Sequence, residues 1–306
     1  RNFIAKWLGN NTDEPEGAIV AFYDDTKDWR FSFVKLEYNL IKDEKGNLKT
    51  KKELTPARRY SYLVGVNEPN HTCKKQFVDL LIEDEHNPML EEIEKAFGIE
   101  RVTKEFFEKY KDLFLRLKSS LLKVVKNDQN VRFEFEKIVG DNKEELDKFC
   151  VEFSKKLLGQ IVFLYFLQKK GWLGVQKDET GRFKDWGTGP KDFMRRLFDK
   201  EYGAYNNFFN DTLEPLFYNT LAVKRSDDYS DKFNCKIPFL NGGLFEPLDE
   251  YDWMNTNIYL DDKIFRDIFD RFDEFNFTVK EDEPLEKEVA VDPEMLGKVF
   301  ENLLEV

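Results

Sequence analysis

The sequence predicts an α+β fold, predominantly helical, with a small antiparallel β-sheet portion at the N-terminus followed by a large helical region. Three features carry that prediction. Two-residue alternation is confined to residues 17–65; from residue 74 onward the apolar period is 3.6; and residues 146–171 read as one long helix with seven consecutive apolar residues, 161–167, at its middle.

In the β-rich part, residues 17–23 and 29–40 flank a turn-rich link at 24–28, which is hairpin spacing. Phe31 and Phe33 share one parity, whereas Val34, Leu36, Tyr38 and Leu40 share the other. The face therefore switches once, and a bulge near Phe33 and Val34 is the simplest device for that. A polar loop at 42–52 leads through Pro56 to a third strand, 58–64, where Tyr60, Tyr62 and Val64 alternate with Arg59, Ser61 and Leu63.

The helical part opens with a short helix at 74–82. Asn87 then caps a second, with Pro88 at its first position and Gly98 after its end. Thr103 is expected to cap a third, whose inward residues are Phe106, Phe107, Tyr110, Leu113, Phe114, Leu117, Leu121 and Val125; it is the natural antiparallel partner of the central helix. That central helix has capping-box spacing at Asp141 and Glu144, cations at Lys169 and Lys170, and Gly171 for a left-handed stop. Seven apolar residues fall far short of the roughly 20 that cross a bilayer. A helix apolar on every side is instead the buried core helix of a large domain. Residues 172–189 read as a loop, 190–202 and 205–222 as two helices with the second bent at Pro215, and 224–236 as a loop. Asn241, Gly242 and Gly243 interrupt an apolar run, Asp261 opens a further helix, and Asp292 with Pro293 opens the last.

The net charge of −12 is unevenly placed. Residues 1–80 hold 14 Lys+Arg against 12 Asp+Glu, net +2; the remaining 226 hold 34 against 48, net −14, which restores −12. An acidic bulk repels phosphate, so most of this surface is not built for nucleic acid. Cys73, Cys150 and Cys235 are odd in number and widely spaced, which reads as reduced thiols in a cytoplasmic protein without zinc or disulfides. The chain opens on Arg1 and closes at Val306 inside an apolar helical pattern, so it is expected to be an excerpt of a longer polypeptide.

No Walker A loop, HExxH, GxSxG or CxxC is present. His71 and His86 lie near Cys73 in loop-like surroundings and read as loop polarity rather than metal ligands. Asn241-Gly242-Gly243 reads as a tight structural turn rather than a phosphate nest, because no lysine and hydroxyl pair follows. Metal-dependent nucleases need an acid-x-Lys element, where carboxylates hold the cation and the lysine polarises water. Asp-x-Lys occurs at Asp25-Lys27, Asp43-Lys45, Asp141-Lys143 and Asp261-Lys263, each in an expected turn or cap. No catalytic, cofactor-binding or metal residue is therefore assigned. The candidate DNA-contacting residues are Lys49, Lys51, Lys52, Arg58 and Arg59, a basic stretch beside Tyr60 and Tyr62 whose plainer reading is a solvated loop and a charged edge strand that discourages aggregation.

Six strings, KELTPARRYSYLVG (52–65), EPNHTCKKQF (68–77), VTKEFFEKY (102–110), KKLLGQIVFLYFLQKKGWLG (155–174), FLNGGLFE (239–246) and DPEMLGKVFENLLEV (292–306), together resemble the region preceding the methyltransferase domain in type IIG restriction–modification DNA (adenine-N6) methyltransferases. Similar helical regions occur in phage-defence adenine methyltransferases. The resemblance implies a parent that joins a nuclease, a helical connector, a methyltransferase using S-adenosylmethionine, and a target-recognition domain, with Mg²⁺ required if the nuclease is present. DNA would be the parent's partner, and an intrachain methyltransferase domain would follow Val306. None of the ten prolines adjoins another, so the Pro-Pro motif that grips a flipped adenine is absent from this stretch. The expectation is residues 1–85 as the β-containing remainder of an N-terminal domain, and 86–306 as a helical connector without chemistry of its own. An autonomous protein-interaction or regulatory module is the alternative; a membrane role is not expected.

Overall fold

The computed structural model describes residues 2–10, 16–25, 27–35, 39–42, 48–51, 58–82, 87–240, 242–279 and 286–303. In chain order these form α1 (Asn2–Gly9), β1 (Gly17–Phe22), β2 (Asp28–Lys35), β3 (Asn39–Lys42), β4 (Leu48–Lys51), β5 (Arg58–Gly65), α2 (His71–Ile82), α3 (Leu90–Ala96), α4 (Ile99–Asn127), α5 (Gln129–Val139), α6 (Lys143–Lys170), α7 (Phe193–Phe198), β6 (Tyr229–Ser230), β7 (Cys235–Lys236), α8 (Asp262–Phe272), β8 (Glu286–Glu288) and α9 (Pro293–Leu303). The fold is α+β and mostly helical, with its antiparallel strands at the N-terminus.

Two compact units divide the chain elsewhere than the sequence division at 85/86: one comprises residues 1–107 and 273–306, the other 108–272. The cut falls inside α4, whose uninterrupted 3.6 periodicity hides it from the sequence.

The first unit is built on a sheet of order β1-β2-β5-β8, in which β1, β2 and β5 are antiparallel and β8 joins β5 in parallel. Beta pairing runs without a break through Phe33 and Val34, so the expected bulge is absent. Both residues are buried because both faces of the sheet are covered. Phe33 stacks on Phe97 at 5.8 Å, while Val34 forms a small core with Leu8, Ile4, Ala18 and Val20. On the first face Phe31, Tyr62 and Phe77 also converge on Phe97, and the Tyr62 hydroxyl donates to the Ala96 carbonyl at 2.5 Å. On the second face the Ser32 and Ser61 hydroxyls pair at 2.8 Å, and Arg30 binds Glu288 at 3.1 Å. The polar stretch 42–52, expected as a loop, contributes to the hairpin of β3 and β4.

The helix boundaries also move. Helix α2 begins at His71, three residues before the expected start. Helix α3 begins at Leu90, where Glu92 reaches back to accept the Met89 N–H, so Asn87 and Pro88 precede it rather than cap it. Thr103 lies inside α4, its hydroxyl donating to the Ile99 carbonyl. Of the inward residues expected there, all but Phe107 are buried.

The second unit is organised on α6. Asn142, not Asp141, is its N-cap, accepting the Glu144 N–H at 2.9 Å, and Gly171 ends it at φ 69°. The apolar ring is buried at Ile161, Val162, Leu164, Tyr165, Phe166 and Leu167; Phe163 is the one gap, 36% exposed. The N-terminal half of α6 packs on α5, an element with no sequence expectation, capped by Asp128. Phe135 meets Phe149 at 4.7 Å and Phe153 at 5.8 Å, while α4 reaches α6 through Phe114, which carries the Lys155 ammonium at 5.8 Å. Of the helix expected at 190–202 only α7 forms. The expected bent α-helix at 205–222 is instead π-helical over Phe209–Leu213 and Pro215–Leu221. Pro215 gives the reason: its ring clashes with the carbonyl four residues back, and a wider turn relieves the clash. The Glu214 and Ala222 N–H groups accordingly bond the Phe209 and Phe217 carbonyls, five residues back.

Candidate functional site: a glycine loop seated on the central helix

Lys156 and Gln160 are four residues apart on α6, so their side chains leave one face, one above the other. The Lys156 Nζ donates to the Gly243 carbonyl at 3.0 Å, and the Gln160 Nε2 donates to the Leu244 carbonyl at 2.7 Å. One turn further along, Phe163 meets Phe245 edge-on at 5.9 Å, and Phe245 also packs 5.5 Å from Phe217 on the π-helical run. The loop is thus clamped by two hydrogen bonds and anchored by one buried ring. Two of the strings that carry the family resemblance, 155–174 and 239–246, meet here.

Gly242 has φ 137°, a conformation closed to ordinary side chains, although a Cβ there would meet nothing within 4 Å. Backbone conformation rather than crowding therefore requires this glycine. A phosphate nest presents N–H groups, whereas this loop offers its carbonyls to α6. Partial burial lowers the Lys156 pKa, opposed by the nearby Glu246 and Asp249 carboxylates. Its chemistry here is that of a clamp.

Lys49 and Lys51 lie on β4, opposite Ile41 and Asn39, in a two-stranded sheet separate from that of β5. Lys52 lies outside the described residues. Arg58 and Arg59 are on β5, opposite Lys35 and Val34. Arg59 is half-buried, with its guanidinium over the Phe22 ring at 5.4 Å.

Among the Asp-x-Lys pairs, Asp141-Lys143 borders the α6 cap and Asp261 caps α8 by accepting the Lys263 N–H at 2.9 Å. Asp25 and Lys27 are in the link between β1 and β2, and Asp43-Lys45 lies outside the described residues. His71 is the first residue of α2, its Nε2 3.6 Å from Glu105 and 3.7 Å from Glu274, while the Lys75 ammonium sits 2.8 Å from Glu105. His86 lies outside the described residues. No group of three or more His, Cys, Asp or Glu suited to a metal ion occurs among the described residues, and Cys73, Cys150 and Cys235 are free thiols. No helix among them is long and apolar enough to cross a membrane.

One polar centre escaped sequence reasoning. Glu214, wholly buried within the π-helical run, accepts the Tyr251 hydroxyl at 2.6 Å, and the Tyr251 and Tyr218 hydroxyls are 3.2 Å apart. Its second oxygen, Oε2, is buried without a hydrogen-bond partner, and burial pushes the carboxyl up to about 8. The available signal was a lone acid flanked by Leu213, Pro215, Leu216 and Phe217. Comparison of the chain with protein-family models, with curated proteins and with solved structures finds no match.

Proposed function

We propose that this chain is the helical connector of a restriction–modification DNA adenine-N6 methyltransferase, holding that enzyme's catalytic domain relative to an upstream domain. The observation that supports the reading is the clamp of Lys156 and Gln160 on Gly243 and Leu244. Two stretches of the resemblance, far apart in sequence, meet there and spend their polar groups on each other. That is the behaviour of a scaffold. Under this reading S-adenosylmethionine and Mg²⁺ belong to other parts of the parent, DNA is the parent's partner, and the location is cytoplasmic.

The test has two arms. The coding sequence beyond Val306 should specify a Gly-rich cofactor loop and then an Asn/Asp-Pro-Pro-aromatic motif. The chain 1–306, incubated with adenine-containing DNA, labelled S-adenosylmethionine and Mg²⁺, should neither methylate nor cleave. A stop codon directly after Val306, or reproducible turnover by 1–306, overturns the proposal.

A further inference from the structure

In the second unit, lysines and aromatic rings share one face of a small irregular sheet. Its bridges are Val175 with Lys236, Lys177 with Phe183, and Tyr229 with Lys236, all antiparallel. Directly paired residues of antiparallel strands point the same way, so Lys177, Phe183, Tyr229 and Lys236 lie on a common side. The Lys177 ammonium stands 4.9 Å from each of the Phe183 and Tyr229 rings, which are themselves 5.4 Å apart. The Lys236 ammonium stands 4.3 Å from the Trp186 ring. Beside this face, the Gly187 and Gly189 N–H groups both donate to the Gly171 carbonyl at 3.0 Å, tying the turn after Trp186 to the residue before Trp172. Trp172 carries the Lys170 ammonium at 4.8 Å.

Trp172 and Trp186 are each 37% exposed, whereas the fold buries most of its rings. A lysine over one face of a ring leaves a planar apolar surface beside a positive charge. Nucleobases stack on such rings without regard to sequence, while ammonium groups meet the phosphates. The Asp178 carboxylate, next to Lys177 in sequence, accepts the Thr180 and Arg182 N–H groups at 2.8 and 3.0 Å. Hydrogen bonds from Thr180 and Arg182 hold its pKa below the usual carboxylate range, so its negative charge marks one limit of the face. Glu179, Asp185 and Asp231, close by in sequence, shorten the stretch a polyanion can cover.

We propose that this face binds a short stretch of single-stranded nucleic acid, with bases stacked on Trp186 and Trp172 and phosphates at Lys177, Lys236 and Lys170. The inference goes beyond the connector reading and needs no methyltransferase. The test uses the chain 1–306 with a fluorescently labelled oligothymidylate of about twelve nucleotides, a length within the range that stacking grooves cover. Anisotropy should report binding that weakens with salt, tryptophan fluorescence should be quenched, and duplex of equal length should bind less well. Trp172→Ala with Trp186→Ala should weaken binding about tenfold or more, the effect of losing one to two stacked bases. Should that variant fail to fold, Lys177→Gln with Lys236→Gln should reduce both affinity and salt slope. A Lys123→Gln, Lys126→Gln variant, at two exposed lysines of α4, should bind as the parent does. Absence of binding at low salt, equal binding by both aromatic-surface variants, equal competition by polyglutamate, or loss only in the Lys123/Lys126 variant overturns the assignment.

Discussion

Glu214→Gln is expected to stabilise the protein at neutral pH, a rare direction for a change in a core. A glutamate in an unfolded chain ionises near 4.3, whereas burial holds the folded Glu214 carboxyl protonated up to about 8. Below about 4 both states are protonated and the group has no effect on folding. As pH rises from there to about 8, the unfolded state releases its proton first. Stability falls by about 1.4 kcal/mol per pH unit, to a total of roughly 5 kcal/mol, and is level above that window. Gln retains the acceptor for the Tyr251 hydroxyl, 2.6 Å away in the parent, and cannot ionise. Allowing for relaxation around the site, the variant should exceed the parent by about 2–4 kcal/mol near pH 7.5 and match it near pH 4. Urea denaturation of both proteins from pH 4 to 8.5, followed by tryptophan fluorescence, measures the difference. A constant offset between parent and variant across that range would refute the reasoning, because it would mean that Glu214 releases its proton in the folded protein as readily as in the unfolded one.

Leu164→Asp should abolish cooperative unfolding of the second unit, since it puts an unpaired carboxylate where Leu164 is fully buried, a cost of several kcal/mol; a soluble variant with the parent's melting temperature would contradict this. Gly171→Ala should lower the melting temperature through about 1–2 kcal/mol of left-handed strain, with a further cost because the new Cβ would collide with the Gly187 carbonyl. An unchanged thermal scan would show that the turn at 186–189 yields freely. Lys156→Met with Gln160→Leu removes both clamping hydrogen bonds, which should cost about 2 kcal/mol in all and speed amide exchange in residues 243–246. Unaltered exchange there would mean that Phe245 alone holds the loop.

Composition and periodicity by themselves determined the class of fold, the three antiparallel strands and the spine. A helix apolar on every side must be wrapped, so burial of Leu164 and its neighbours follows from 161–167 alone. The buried stripe of α4 was equally legible, because burial on one face imposes a 3.6 period. Local chemistry misled where a tertiary partner covered a second face. Phe33 and Val34 imitate a bulge because α1 covers one side of β2 while Phe97 covers the other. Pro215 signalled an irregularity, but a bend and a run of π turns both relieve its clash, and packing selected the latter. Only the tertiary structure could join β8 to β5, since parallel pairing of residues 286–288 with 59–61 leaves no mark in a three-residue strand. The same holds for the sites. The Lys156 clamp, the Glu214 centre and the aromatic–lysine face each unite residues from separate stretches, and long-range proximity is not written in local spacing.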